Sequence, residues 1–306
     1  MLNIDKKRQR MFHLMLLLPV LVLFVFSYLP IFGIIIAFQD YQPGLGMLKS
    51  QWVGLENFKT IALLPDFMPA LRNTLIIAVF KIIGNMIFPV VFALMLNELR
   101  IKWFKKTVQT VTYLPYFLSW VVLGGILMDF LSQGNTAGDA GFMNTFLMNI
   151  GLVDSPINFL GNKHMFPGTV IISDVWKNFG YNTIVYLAAL TSINPSLYEA
   201  SSIDGAGRWK QTWNVTIPGI APIIILMTVL SIGNILNAGF EQIFVMYSPS
   251  VYATGDIIDT LVYRLGLVNQ QFSLSAAVGL FKSVISGILI VVSFKMADRY
   301  AGYRVF

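Results

Sequence analysis

The chain has 306 residues, of which 56% are hydrophobic and only 12% are charged. A soluble domain carries about 25% charged residues, so this composition excludes a soluble globular protein and indicates a membrane protein with several spans. The formal net charge of +6 does not indicate nucleic-acid binding, because the basic residues stand at the ends of apolar runs, where they determine topology.

Six apolar runs are long enough to cross a bilayer core about 30 Å thick, which takes roughly 20 helical residues. Backbone groups in lipid must be satisfied internally, and runs this long argue against a barrel, so helices are predicted. The predicted fold is all-α, a single polytopic helical bundle covering residues 1–306. The predicted spans lie near Leu14–Phe38, Thr74–Met95, Val108–Leu131, Thr169–Thr191, Ile217–Phe240 and Ser275–Phe294.

The first run follows a basic stretch, as the apolar core of a signal peptide would. It is too long for such a core, and no small-residue cleavage site follows, so a retained first span is expected.

Lysine and arginine are enriched in alternate connecting segments, which predicts that these segments and both termini are cytoplasmic. The opposite loops are longer but poorer in basic residues, and they could hold short surface helices for an external partner or act as tethers. The predicted cytoplasmic residues are Lys6, Lys7, Arg8, Arg10, Arg100, Lys102, Lys105, Lys106, Arg208, Lys210, Lys295, Arg299 and Arg304.

A polar cytoplasmic segment, about residues 196–218, separates the fourth and fifth predicted spans. Ser196 is a candidate N-cap, and Glu199 follows three residues later, the spacing of a capping box. The pair Asp204-Gly205 predicts the end of this helix, because glycine readily adopts left-handed backbone angles. A second helix is predicted from about Ala206 to Val215. Taken one at a time, these residues also fit an ordinary cap, turn or interfacial anchor.

In combination, the residues of this segment resemble the EAA loop of importer permeases of the ATP-binding cassette (ABC) superfamily. The family pattern is Glu-Ala-Ala, Asp-Gly-Ala after two residues, an aromatic residue, an apolar residue with proline, and a further proline. Ser201 replaces the second alanine, a small-for-small change. The matching residues are Glu199, Ala200, Asp204, Gly205, Ala206, Trp213, Ile217, Pro218 and Pro222.

The resemblance extends over most of the chain. Residues 52–58 (Trp-Val-Gly-Leu-Glu-Asn-Phe) and 239–244 (Gly-Phe-Glu-Gln-Ile-Phe) are similar to maltose-type (MalF/UgpA-like) carbohydrate permeases. Residues 237–247 followed by 256–260 are similar to the LplB-like oligosaccharide permease group. The resemblance implies a type I ABC importer permease in a bacterial cell membrane, forming half of a heterodimeric pathway.

The same resemblance implies the partners: a second homologous permease, two ABC ATPase subunits and an extracytoplasmic solute-binding lipoprotein that delivers an oligosaccharide. It makes the polar segment a coupling helix, with Glu199 facing an ATPase and Gly205 allowing the sharp turn. The residues implied in ATPase coupling are Glu199, Ala200, Ser201, Asp204, Gly205, Ala206, Trp209 and Pro218.

We expect no catalysis by this chain. It contains no Gly-x-x-x-x-Gly-Lys-Ser/Thr motif, and the run Gly279–Ser283 lacks the glycine before lysine. The chain has no cysteine, and neither His13 nor His164 has a metal-ligand companion at a useful spacing. No metal or cofactor is expected on this chain, and ATP and Mg²⁺ are expected on the partner ATPase subunits.

Polar residues at helical spacing inside the predicted spans indicate a route for a polar solute through the bundle. The alternative is that they serve helix–helix packing, which small and polar residues often do in membranes. Hydroxyl-rich sugars would suit amide partners, with aromatic rings packing on sugar faces. The candidate pathway residues are Lys81, Asn85, Asp174, Lys177, Asn178, Tyr181, Asn234, Glu241 and Lys282.

Three lysines, Lys81, Lys177 and Lys282, are predicted at a similar depth, roughly 10–12 Å from the outer ends of their spans. In one interpretation Asp174 pairs with Lys177 at i,i+3, while Lys81 and Lys282 extend outward to the interface. In the other, the lysines line a cationic outer cavity for an acidic saccharide, such as a uronate-containing oligosaccharide.

A stand-alone transporter and an intramembrane enzyme are the alternatives to the importer. A stand-alone secondary transporter or channel for polar solutes needs ion-coupling carboxylates near the midplane, whereas Asp129, Asp174 and Glu241 are predicted toward the outer half. An intramembrane enzyme needs a nucleophile–base pair or a metal set, and no such pattern is present in the sequence.

Overall fold

The structure is a computed structural model that describes residues 6–134 and 139–301, with side chains for residues 10–134 and 139–299. The predicted cytoplasmic positions of both chain ends and of Arg304 lie outside the described residues, as do the side chains of Lys6, Lys7 and Arg8.

Helices dominate the described residues, and the observed strands form one short antiparallel pair. Turns of π-helix (Phe24–Tyr28, Thr212–Thr216, Arg264–Val268) and of 3₁₀-helix (Leu29–Phe38, Leu114–Phe117, Pro249–Val251) extend or join several α-helices. The elements are α1 (Lys6–Leu23), β1 (Gln39–Asp40), α2 (Gly46–Lys49), β2 (Gln51–Trp52), α3 (Glu56–Leu63), α4 (Phe67–Glu98), α5 (Lys102–Tyr113), α6 (Trp120–Phe130), α7 (Phe142–Asn149), α8 (Phe166–Thr191), α9 (Pro195–Ile203), α10 (Arg208–Gln211), α11 (Ile217–Gly233), α12 (Phe240–Met246), α13 (Tyr252–Gly255), α14 (Ile258–Tyr263) and α15 (Phe272–Ala301).

The chain divides into two compact units. The first comprises the residues up to Leu64 together with Val262–Phe281, and the second comprises Pro65–Leu261 together with the chain from Lys282 onward. Helix α15 therefore contributes residues to both units.

In the first unit, the motif at residues 52–58 holds the outer end of the first span. Strand β1 pairs with β2 in antiparallel register, Gln39 opposite Trp52. Trp52 stacks on Phe38 with ring centroids 5.6 Å apart. The amide of Asn57 donates to the carbonyls of Ala37 and Gln39, each at 2.9 Å. These are carbonyls at the end of a helix, where intrahelical partners run out, so Asn57 replaces the missing donors.

Within the described residues, four helical runs are long and apolar enough to span a membrane: Arg10–Phe38, Phe67–Glu98, Arg208–Gly233 and Phe272–Arg299. They correspond to the predicted first, second, fifth and sixth spans. The fourth predicted span forms the 26-residue helix α8, which is long enough to span a membrane but is not among these four runs. The exact count of six spans therefore stays a prediction.

The predicted third span near Val108–Leu131 is not one continuous helix. The chain forms a helical run over Lys102–Phe117 and a second over Trp120–Phe130, bent by 102° at the break between them. Pro115 lies in the 3₁₀-turn just before the break. Ser119 caps the second helix, since its hydroxyl accepts from the backbone N–H of Val122 at 3.3 Å.

The predicted fifth span also differs at its outer end. Its helix stops at Gly233 instead of continuing to Phe240, and Asn234 is the C-cap. Residues 234–239 are unwound before α12 begins. Gly239, with a left-handed backbone at φ +96°, is the N-cap residue after which α12 begins.

The second unit is organised around the packing of α4 against α8, with α11 alongside them. One apolar cluster, which includes Ile77, Phe166 and Ile243, lies where α4, α8 and α12 meet. A second cluster, which includes Ala93, Tyr186 and Ile220, lies where α4, α8 and α11 meet. Both clusters hold the helices that carry the candidate pathway residues.

Candidate transport pathway and coupling loop

The polar segment after α8 begins a helix as predicted, but with a different cap. Asn194 is the N-cap, and its side-chain oxygen accepts from the backbone N–H of Ser196 at 3.0 Å, with Pro195 at the first helical position. The predicted Ser196 cap and its capping box with Glu199 are therefore wrong. Asn194 is favoured as the N-cap because the next residue is Pro195. Proline has its φ fixed near the helical value, and it has no backbone N–H that needs an acceptor in the first turn.

The predicted helix end at Asp204-Gly205 is confirmed and forms a Schellman motif. The backbone N–H of Gly205 donates to the carbonyl of Ser202 at 3.1 Å, and that of Ala206 donates to Ser201 at 2.9 Å. Gly205 has φ +75°, in the left-handed region that disfavours residues with a Cβ. The Asp-Gly-Ala sequence thus satisfies the last carbonyls of α9 while the chain turns sharply.

The second helix of the segment is not separate from the fifth span. Arg208–Gly233 is one continuous helical run, so the residues next to the turn at Gly205 are joined without a break to the fifth span. Two side-chain contacts fasten α9 to this run: Tyr198 Oη lies 3.0 Å from Thr216 Oγ1, and Gln211 donates to Ser202 Oγ at 2.8 Å. Helix α9, the turn at Gly205 and the run Arg208–Gly233 are therefore connected into one unit.

The loop presents an exposed face that mixes charge with apolar area. Glu199 is exposed and makes no hydrogen bond or ion pair within the described residues. Ile203 is 87% exposed and Trp209 is 80% exposed. Apolar side chains of this size, grouped beside an unpaired carboxylate, have the composition of a protein contact surface.

A polar cavity of about 360 Å³ opens between α4, α8, the end of α11 and the unwound segment that follows it. It brings together five of the predicted pathway residues: Lys81, Asn85, Asp174, Asn178 and Asn234. Two further asparagines, Asn182 and Asn237, line it and were not predicted. Asn182 stands one helical turn after Asn178, and that i,i+4 spacing was the signal available in the sequence.

Lys81 and Asp174 form a buried ion pair, with Nζ 3.2 Å from Oδ1. Lys81 also donates to Gln242 Oε1 at 2.5 Å and to the carbonyl of Ala238 at 2.8 Å, while Asp174 accepts from Asn85 at 2.9 Å. The predictions that Asp174 pairs with Lys177 and that Lys81 extends outward are wrong, because the packing of α4 on α8 places Lys81 closer to Asp174.

Lys177 points away from the cavity. Its ammonium donates to the carbonyl of Tyr116 at 2.7 Å and lies 5.5 Å from the ring centre of Trp120. Tyr181, a candidate pathway residue, is stacked on Tyr116 with ring centroids 3.8 Å apart. Glu241 lies on α12 and does not line the cavity.

Lys282 does not extend outward either. Its ammonium lies 2.5 Å from Asp259 Oδ1 and donates to Asn237 Oδ1 at 2.8 Å. Each of the three lysines therefore has acceptors within the chain. The ion pair of Lys81 with Asp174 leaves the cavity wall without net charge from these two residues, so the predicted cationic outer cavity has no support from this geometry.

A continuous lever at one end of a helical bundle and a polar cavity within it define the class of protein, a multi-pass membrane permease. Residues 90–301 match the family described as binding-protein-dependent transport system inner membrane component.

The chain is 39% identical to the polygalacturonan/rhamnogalacturonan transport system permease protein YteP of Bacillus subtilis (strain 168), covering 96% of this chain and 89% of that protein. It is likewise 39% identical to Protein LplB of the same organism, covering 96% of this chain and 90% of that protein. A crystal structure of a bacterial ABC transporter involved in the import of the acidic polysaccharide alginate contains a chain of the same fold. The TM-score is 0.86 with 36% identity, covering 96% of this chain and 97% of that one.

The protein belongs to this family of inner membrane transport components and is a permease of an ABC carbohydrate importer. The prediction of that family from the EAA loop and the other motifs is confirmed. A stand-alone carrier or channel is not favoured by any of these similarities.

Proposed function

We propose that this chain is the non-catalytic half of a heterodimeric pathway that imports an acidic oligosaccharide, driven by separate ATPase subunits. The observation that carries the proposal is the exposed, Schellman-capped loop that continues into the span Arg208–Gly233. This loop is joined without a break to a helix beside the polar cavity. A partner that binds the loop can therefore transmit force to the helix.

Three kinds of partner follow from this proposal. Two ATPase subunits bind ATP and Mg²⁺, one gripping this loop and the other gripping the equivalent loop of a second homologous permease. A solute-binding protein docks on the outer loops. In support, a solved alginate importer, in which the equivalent chain is 35% identical with TM-score 0.86, is in complex with an alginate pentasaccharide-bound periplasmic protein.

The substrate class is proposed as a uronate-containing oligosaccharide. Support comes from the relatives, one named for polygalacturonan and rhamnogalacturonan and the other involved in alginate import. The polar cavity supports a saccharide route, because asparagine side chains offer both donors and acceptors to hydroxyl groups. In this proposal the sugar moves along the amide-lined wall when access alternates between the two sides of the membrane.

The coupling role is tested by replacing Glu199 with arginine in the complete importer reconstituted in lipid. We expect at least a tenfold loss of ATP-driven uptake and loss of the ATPase subunits on purification, since a reversed charge faces the partner. The control for attachment of the ATPase subunits is Glu56→Arg, which reverses an exposed charge in α3. Unchanged uptake and unchanged attachment in Glu199→Arg would refute the proposal.

A further inference from the structure

Two helix breaks lie inside the segments predicted to cross the membrane, and each break frees backbone carbonyls. The first lies between Phe117 and Trp120, and the second is the unwound segment 234–239. Lipid tails offer no hydrogen bonds, so in the bilayer such groups need partners inside the protein or in a water-filled cavity. The question for each break is which side chains serve as those partners.

Lysines supply them at both breaks. Lys177 donates to the carbonyl of Tyr116, two residues before Leu118, where the third span breaks. Lys81 donates to the carbonyl of Ala238 inside the unwound segment, and Lys282 donates to the side chain of Asn237 next to it. A lysine near the C-terminal end of a helix also interacts favourably with the helix dipole, so its position there is stabilising.

Lys81 and Lys282 also contact acceptors on other elements. Lys81 lies between Asp174 of α8 and Gln242 of α12. Gln242 is fully buried, and its amide donates to the carbonyl of Val170 at 2.8 Å and to Ser173 Oγ at 2.9 Å. Lys282 of α15 is held by Asp259 of α14. These networks leave little freedom for the ammonium groups to turn toward a solute.

The backbone of the unwound segment is shaped to receive Lys81. A Cβ on Gly239 would lie 2.9 Å from Lys81 Nζ, closer than packed atoms normally approach, and the residue also needs φ +96°. The segment carries Asn234 and Asn237, both of which line the cavity. The lysines therefore hold the backbone whose side chains form one wall of the proposed sugar route.

We infer that Lys81, which caps the Ala238 carbonyl, and Lys282, which binds the Asn237 side chain, are positioning residues that hold the unwound segment 234–239 and aim its two asparagines into the cavity, rather than contacts for an anionic substrate. Lys177 has the same capping role at the break of the third span. The inference rests on the proposed function only in naming the solute as a saccharide, since the capping contacts are properties of the chain alone.

The test exploits the absence of cysteine from the chain. Leu236 lies in the unwound segment and is 2% exposed, so a single Leu236→Cys reports when the segment loosens. The complete importer is reconstituted in nanodiscs with cysteine-free partners and treated with a membrane-impermeant maleimide. The capped segment should label slowly, and loss of a cap should accelerate labelling roughly tenfold, in line with the loss of a charge-assisted hydrogen bond.

Caps are removed as neutral pairs, so that no unpaired charge is left buried. The variants are Lys81→Met with Asp174→Asn, and Lys282→Met with Asp259→Asn. Lys282→Arg keeps the donors and should restore slow labelling. Lys163→Met, at an exposed lysine outside both breaks, is the matched control for labelling and should not change the labelling rate. The Lys282–Asp259 pair is less buried than the Lys81–Asp174 pair. If the Lys81→Met, Asp174→Asn variant does not assemble, the Lys282→Met, Asp259→Asn variant therefore decides whether the lysines hold the segment.

Uptake is measured on the same samples with a galacturonate oligomer and a neutral oligosaccharide of equal length. Faster labelling, with uptake of both reduced by the same factor, supports the positioning role. Unchanged labelling overturns it, as does a selective loss of acidic uptake, which would make the lysines anion contacts. If the unaltered importer transports neither sugar, the proposed function fails, but the labelling comparison still decides the inference.

Discussion

At the scale of single residues, burial decides what a charged group in the bundle can do. The side chains of Lys81 and Asp174 are 8% and 14% exposed, so their charges are compensated by each other and by nearby hydrogen bonds rather than by water. A buried pair of this kind is weak evidence for stability in itself, but removing one partner leaves an uncompensated charge.

The first prediction concerns this pair. Asp174→Asn alone should destabilise the purified permease complex by up to about 3 kcal/mol, because Lys81 keeps its charge but loses its counter-ion. Adding Lys81→Met should recover most of that loss, since both charges are then gone. Thermal unfolding of the four protein forms in a double-mutant cycle measures the coupling. An Asp174→Asn form as stable as the original would contradict the pairing.

The second prediction concerns Gly205 in the coupling loop. No atom lies within 4 Å of a Cβ built at this position, so the effect of Gly205→Ala comes from its φ of +75° alone. We expect a cost of about 1–2 kcal/mol to the Schellman turn and reduced uptake per ATP hydrolysed. Gly205→Asn should be milder, since asparagine tolerates this conformation. Equal effects of the two substitutions would show that backbone conformation is not the cause.

At the scale of elements, one side-chain amide contributes two hydrogen bonds to the turn after the first span. Asn57 is the shared donor to two carbonyls, Ala37 and Gln39, at the end of the helical run Arg10–Phe38. The surrounding rings of Phe38, Trp52 and Phe58 pack around the same turn. The sequence motif at residues 52–58 therefore has a structural explanation that does not involve a ligand.

The third prediction follows from that turn. Asn57→Ala should leave two carbonyls without their donor and destabilise the turn by about 1–3 kcal/mol. The outer loop should then be cut faster by a protease added outside intact spheroplasts. Lys59→Ala, in the same helix but exposed, serves as control and should not change the cleavage rate. Equal cleavage of the two variants would refute the role of Asn57.

At the scale of the whole molecule, exposed apolar surface is the rule along the predicted spans. Only 6% of the most apolar 18-residue window of Arg10–Phe38 is buried within the chain, against 28% for Phe67–Glu98. Surface of this kind is stable in contact with lipid or with other membrane helices. This agrees with the proposal that the chain works as one part of a larger membrane assembly.

The fourth prediction concerns the substrate of that assembly. ATP hydrolysis by the reconstituted importer should be stimulated at least about tenfold more by its solute-binding protein loaded with a galacturonate oligomer than by the same protein offered a neutral analogue, a difference of about 1.4 kcal/mol. Uptake of radiolabelled sugar provides a second readout. Equal stimulation by both sugars would overturn the acidic-substrate proposal while leaving the importer assignment in place.

The sequence by itself determined the class of fold, the family and the sharp turn at Asp204-Gly205. A long apolar run in a bilayer must form a helix, because only then are its backbone groups hydrogen-bonded within the segment. The Asp-Gly-Ala turn is local, because the residues that bond to one another are neighbours in the chain. The sequence also contains helix-end signals at both breaks, namely Pro115 with Ser119 and Gly233 with Asn234. The prediction of the spans followed the apolar pattern instead of these signals.

Only the tertiary structure decided which residues meet. The sequence suggested Asp174 with Lys177 because they are three residues apart, whereas the packing of α4 on α8 pairs Asp174 with Lys81. The partners of Lys177 and Lys282 are likewise distant in the chain. A long side chain in a low-dielectric interior takes the nearest acceptor in space, and that distance is set by helix packing, which no local spacing encodes.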